Sequence, residues 1–228
     1  PLSDDDLHEV PAVYDTMDDG VGGAVATIVL IYSDGLFGIS CVNEVDVKGL
    51  CLTSVPTESE AYGDLNDQYT WDVLRKALSD PVVDGVLWTP SSGTYRDVAS
   101  DVRPALRGSQ GQALYGLPGL SVQDKASLRA EDLHWHRTAE EALCLGKKEK
   151  PWAILYQRLG DHVRPTHLGF MRQLLAMTGV VARDFSIRCM HFELITFKVI
   201  IEPKEYEDME ELFDHLVKSL MSAKVGDV

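Results

Sequence analysis

Residues 24–32, AVATIVLIY, constrain the fold more than any other stretch of the chain. The run is short, rich in β-branched residues and nearly free of polar side chains, so a strand made from it must be covered on both faces. Strands of that kind sit inside parallel sheets, where each parallel neighbour is reached by a crossover, usually a helix. The rest of the chain supplies both parts. Residues 49–55 (GLCLTSV), 81–88 (PVVDGVLW) and 152–156 (WAILY) are further buried-strand candidates, and residues 192–201 (FELITFKVII) form a β-rich stretch near the end. Between them lie helical patterns. Trp71, Leu74, Ala77 and Leu78 share one face of residues 71–78. Ser121 is placed to cap a helix, with Asp124 three residues on and a stripe of Leu128, Trp135, Ala139, Ala142 and Leu143 running to Gly146. Residues 168–177 read as a short helix. Met209, Leu212, Phe213, Leu216, Val217, Leu220 and Met221 recur at helical spacing, opposite the acidic Glu207, Asp208, Glu210, Glu211 and Asp214. That last helix either packs on the sheet or docks to a partner, and packing is the expectation. The alternation predicts an α/β fold, a mostly parallel sheet with helices on both faces.

The first 23 residues do not share this pattern. They carry acidic clusters at residues 4–6 and 18–19, then Gly20, Gly22 and Gly23, and read as an acidic, Gly-rich arm ahead of a single domain spanning residues 24–228. Residues 100–119, rich in Gly, Pro, Ser and Gln, make a connector long for a compact domain, the kind that is usually functional or mobile. With 36 acidic against 21 basic residues the formal charge is −15, so the field of the molecule repels polyanions and speaks against nucleic acid as a partner. No apolar stretch is long enough to span a bilayer, and the acidic start is unlike a signal or transit peptide. Cys41, Cys51, Cys144 and Cys189 show neither zinc-ligand nor disulfide-framework spacing. The expectation is a protein of an intracellular reducing compartment, such as cytoplasm, nucleus or organelle matrix, and not a secreted one.

Several tempting constellations have plainer readings. His134 and His136 lie two apart on a helix, about 200° from one another, and cannot share an ion. Ser92 with His162 or His167 and Asp161 lacks the G-x-S-x-G elbow of a nucleophilic serine. Cys189, between β-rich segments, is expected to be a small buried hydrophobe. The three glycines of the arm precede a strand, not a helix, and make no phosphate loop. Arg103, Arg107, Lys147, Lys148 and Lys150 are the local basic groupings, expected to be solvated, and the place to look if a phosphate is met.

Four stretches, in order, carry a family resemblance: LIYSDGLFG (30–38), GDLNDQYTWDVLRKAL (63–78), VDGVLWTPSSGTYRD (83–97) with YGLPGL (115–120) and RTAEEAL (137–143), and ARDFSIRCMHFELITFK (182–198). Their order and spacing resemble the S-adenosylmethionine-dependent methyltransferase fold, in particular the cytosine-5 DNA methyltransferase-like domains of viral and retroelement polyproteins. The resemblance implies a Rossmann-like sheet. It implies cofactor contacts at Ser33, Asp34, Gly35, Glu58 and Asp64, and a pocket at the carboxyl ends of the strands beside residues 90–95.

The departures from that family fall on the chemistry. Ser92 stands where the family's nucleophilic Cys would be, and Ser91 replaces its second Pro. Addition to cytosine needs a nucleophile with a reachable pKa, which a thiolate is and an unassisted hydroxyl is not. Tyr156 and Gln157 align with the catalytic Glu-Asn pair, so the carboxyl that serves the ring is missing. Pro56 takes the place of the acidic ribose ligand, with Glu58 two residues on. The expectation is therefore a catalytically degenerate methyltransferase-like domain acting as a structural or protein-interaction subunit. It has no catalytic residue and no cofactor, or S-adenosylmethionine if the pocket is retained, no metal, and a protein partner or larger assembly. The alternative is an active S-adenosylmethionine-dependent methyltransferase on a non-cytosine acceptor.

Overall fold

The computed structural model describes residues 26–32, 50–56, 58–59, 63–96, 105–160, 162–201 and 205–225. The acidic arm, Arg103 and residues 100–104 of the connector lie outside them. Strand β1 (Ala26–Tyr32) is followed by β2 (Leu50–Pro56), the two-residue strands β3 (Glu58–Ser59) and β4 (Gly63–Asp64), helix α1 (Gln68–Leu78) and β5 (Gly85–Thr89). A 3₁₀ turn at Gly111–Tyr115 precedes the long helix α2 (Val122–Lys147) and β6 (Trp152–Arg158). A second 3₁₀ turn (Pro165–His167), helix α3 (Gly169–Leu175), β7 (Val180–Ile187), β8 (Met190–Phe197) and helix α4 (Met209–Val225) complete the order.

The main sheet has the order β2-β1-β5-β6-β8-β7. Strands β2, β1, β5 and β6 pair in parallel, while β8 is antiparallel to both β6 and β7 and is the one reversed strand of the six. In β1 the side chains alternate between two cores, which is why its sequence is almost wholly apolar. Val29 and Ile31 face Trp71, Leu74 and Leu78 of α1, Trp135, Ala139 and Ala142 of α2, and Met171 and Leu174 of α3. Ile28 and Leu30 face Leu212, Phe213, Leu216, Val217 and Leu220 of α4. The architecture is thus the Rossmann-like α/β sheet with helices on both faces, and the final helix packs on it. Among the described residues no helix is long and apolar enough to cross a membrane.

Local signals set the helix starts. Asp67 caps α1 by accepting from the Thr70 N–H, and Ser121 caps α2 by accepting from that of Asp124. Three expectations are corrected. The β-rich stretch near the end is one arm of a hairpin, running only from Met190 to Phe197, and Lys198 leaves it at φ 57°. Its partner β7 is mostly exposed at the sheet edge and has no apolar pattern to reveal it. The turn between them, Arg188 (φ 46°) and Cys189 (φ 67°), is left-handed at both positions without the glycine or asparagine that marks such hairpins. Cys189 is consequently exposed and not buried, because the turn directs it to solvent. Arg107, expected on a solvated loop, is 2% exposed.

Candidate functional site

In open α/β sheets ligands lie outside the carboxyl ends of the strands, where the chain order reverses direction. Here that point falls between β1, whose successor β2 lies on one side, and β5, from which β6 continues on the other. A cavity opens there, lined by Ile31, Leu65, Trp71, Trp88, Pro90, His134, Arg137 and Thr138. Its volume of about 20 Å³ holds roughly one water molecule. Arg137 builds one wall. Its guanidinium donates to the carbonyls of Leu65 and Asp67 and to Gln68 Oε1 (2.8 Å), and it lies 5.5 Å from the Trp71 ring centroid, which ties the start of α1 to α2. Two buried polar atoms of the lining, Trp88 Nε1 and His134 Nε2, have no hydrogen-bond partner among the described residues. Burial holds the His134 imidazole below its ordinary pKa, with Asp64 pulling it up and Arg137 down.

Of the cofactor positions that the sequence proposes, Ser33, Asp34 and Gly35 lie outside the described residues. Glu58 and Asp64 come together as register partners of the β3–β4 ladder. The exposed Asp64 side chain accepts from the N–H and side-chain amide of Asn66 (2.8 and 2.9 Å), so it shapes its own turn at the rim of the site. Pro90 is the member of the 90–95 loop that reaches the cavity.

The chemical positions meet at the neighbouring ends of β5 and β6. Ser92, 4% exposed, donates its hydroxyl to the Gln157 carbonyl at 2.5 Å. Tyr156, 1% exposed, donates to Glu193 Oε2 across the β6–β8 pair and stands edge-on to Trp135 at 4.9 Å between centroids. Burial pushes the Tyr156 phenol far up and also raises the Glu193 carboxyl, against the Tyr156 hydrogen bond. Both hydroxyls donate to acceptors within the chain. Of the serine-triad candidates, Ser92 donates to a backbone carbonyl, and Asp161 lies outside the described residues.

A polar cluster that sequence reasoning missed surrounds the same loop. Glu131 and Asp132 of α2 face Ser91, Thr94 and Tyr95 after β5 and Arg107 from the connector. A pair of acids in the polar run of a long helix gives no sign of burial. The one usable signal was their position one turn before Trp135, whose Nε1 donates to the Ser91 carbonyl at 2.8 Å. The other helical histidine, His136, packs edge-on against Phe170 and pairs with Glu140 at 3.6 Å. Lys147 and Lys148 are exposed, as expected, and Lys150 donates to the Asp80 carbonyl. No cluster of metal-ligating side chains occurs among the described residues.

No family model matches the chain, and no curated protein matches it. Among solved structures it is similar to the protein-(glutamine-N5) methyltransferase, release factor-specific, of Alicyclobacillus acidocaldarius subsp. acidocaldarius. The identity is 11% over 77% of this chain and 82% of that one, with a TM-score of 0.37.

Proposed function

We propose that the chain is a methyltransferase-like α/β domain whose catalytic positions are degenerate and which serves as a structural or protein-interaction subunit in a larger assembly. The observation that carries this reading is the fate of Ser92 and Tyr156. At the two positions where cytosine chemistry needs a thiolate and a carboxyl, the chain has hydroxyls that are buried and spent on internal hydrogen bonds. The strand order, with its one reversed strand inserted before the edge, agrees with the family resemblance of the sequence. A charge of −15 favours a protein partner over nucleic acid, and an intracellular compartment is in keeping with free thiols at Cys144 and Cys189.

A second reading, a methyltransferase acting on a non-cytosine acceptor, is favoured by one feature, Trp88 Nε1 and His134 Nε2 at the switch-point cavity, which have no hydrogen-bond partner among the described residues. Cofactor residues would then be Ser33, Asp34, Gly35, Glu58 and Asp64. The cavity between the described walls holds about one water, and Ser33, Asp34 and Gly35 lie outside the described residues. Calorimetric titration with S-adenosylmethionine and S-adenosylhomocysteine separates the two. The scaffold reading expects no heat of binding up to millimolar ligand. Micromolar binding that is lost in Asp64→Ala overturns it in favour of the second.

A further inference from the structure

The loop after β5 ends in a cage of donors closed around one carboxylate. Ser91 Oγ donates to Glu131 Oε1 at 3.0 Å, and the backbone N–H of Thr94 donates to Oε2 at 3.0 Å, joined there by the Thr94 hydroxyl. Arg107 stands behind, its Nε donating to Thr94 Oγ1 at 2.8 Å and its Nη2 lying 3.8 Å from Glu131 Oε2. Both carboxylate oxygens are served by the loop, and none of these donors comes from the helix that carries Glu131. Hydroxyls, a backbone N–H and a guanidinium converging on one point form the donor set that proteins use for oxyanions. The cage lies beyond the carboxyl end of β5, the edge at which open α/β sheets bind ligands. One donor is left over. Arg107 is 2% exposed, yet its Nη2, aimed at the carboxylate, has no hydrogen-bond partner among the described residues. The rest of the guanidinium is held in place, Nη1 donating to the Leu114 carbonyl at 2.8 Å and pairing with Asp132 at 2.9 Å, so Nη2 is fixed toward the Glu131 carboxylate.

We propose that Ser91, Thr94 and Arg107 form a carboxylate-binding site whose occupant in this chain is its own Glu131. The built-in ligand holds the site closed and fixes the loop that carries Ser92. The ligand class is a carboxylate because the donors meet the two oxygens of a planar group from separate sides. The proposal takes from the methyltransferase-like reading only the location of the loop, and its test uses no cofactor, so each can fail without the other.

The test empties the cage and offers the ligand back. Glu131→Ala is expected to lower the thermal midpoint. A formate titration is expected to raise it saturably toward the wild-type value, while wild type shows no such response and chloride at equal ionic strength does not substitute. Adding Ser91→Ala and Thr94→Val to Glu131→Ala is expected to abolish the saturable part. A Glu131→Ala midpoint that follows formate no more than chloride overturns the proposal, as does an unchanged response in the triple variant. Rescue by inorganic phosphate equal to that by formate overturns the carboxylate assignment. Should Glu131→Ala not fold, the isosteric Glu131→Gln gives the reading by amide resonance. The Thr94 N–H, deprived of its charged acceptor, is expected to shift upfield and exchange faster, and an unmoved Thr94 resonance overturns the proposal.

Discussion

Glu131 and Asp132 share one buried cation, Arg107, which pairs with Asp132 at 2.9 Å and lies over the Tyr95 ring at 4.0 Å. Removing one partner of a buried ionic network leaves the remaining charge exposed to a poor environment. Glu131→Ala is therefore expected to cost about 3 kcal/mol, read by chemical denaturation. Ser92→Ala strands the Gln157 carbonyl and is expected to cost about 1 kcal/mol. Glu193 gives a pH signature. Burial raises its carboxyl above the ordinary value of 4.5, so the folded state holds a proton that the unfolded chain has released. Its contribution is complete below about pH 4.5 and is lost as pH rises through the folded value. The stability of Glu193→Gln relative to wild type is expected to climb with pH above that point. A difference that stays flat across this range contradicts the assignment. His134 works in the opposite sense: its lowered pKa gives stability that is present above about 6.5 and lost as pH falls through the folded value.

At the scale of elements, helix α2 carries the site. Its Trp135, Arg137 and Glu131 reach, respectively, the loop after β5, the start of α1 and the donor cage. Its first turn depends on Ser121, so Ser121→Ala is expected to lower stability by about 1 kcal/mol, measured by denaturant midpoint. Among the described helices α4 covers the opposite face, with Leu216 fully buried, and Leu216→Ala is expected to cost about 3 kcal/mol. The β7–β8 hairpin contains a correctable defect. Cys189 adopts a left-handed backbone that costs a non-glycine residue about 1 kcal/mol, so Cys189→Gly is expected to raise the midpoint. A fall instead would mean that the thiol makes a contact worth more than the strain.

For the whole molecule, one sheet separates two cores, and the candidate site belongs to the face on which α1, α2 and α3 pack. The excess of acidic residues sets a general repulsion that salt screens within about 10 Å at 0.1 M. Raising the ionic strength from low salt to about 0.2 M is expected to increase the thermal midpoint, whereas a decrease would mean that specific ion pairs outweigh the net charge.

Most of the framework was legible along the chain. The doubly apolar run at β1, the stripe of Trp71, Leu74 and Leu78, the cap at Ser121 and the periodicity of α4 are local regularities, because each reports a strand or helix period or a group within three residues. Motif order singled out Ser92, Tyr156, Glu58 and Asp64 separately, while the Ser92–Gln157 hydrogen bond and the register of Glu58 with Asp64 are seen only in the fold. Other features have no local signature. Strand β7 is exposed and turns back without glycine, Cys189 is turned outward, and Arg107 and Glu131 look like surface charges until three distant segments close on them. Period and capping are written in neighbouring residues, so the sequence by itself determined the α/β framework. Whether a charged side chain is buried, and which partner then satisfies it, depends on contacts between segments dozens of residues apart, and only the tertiary structure decided those.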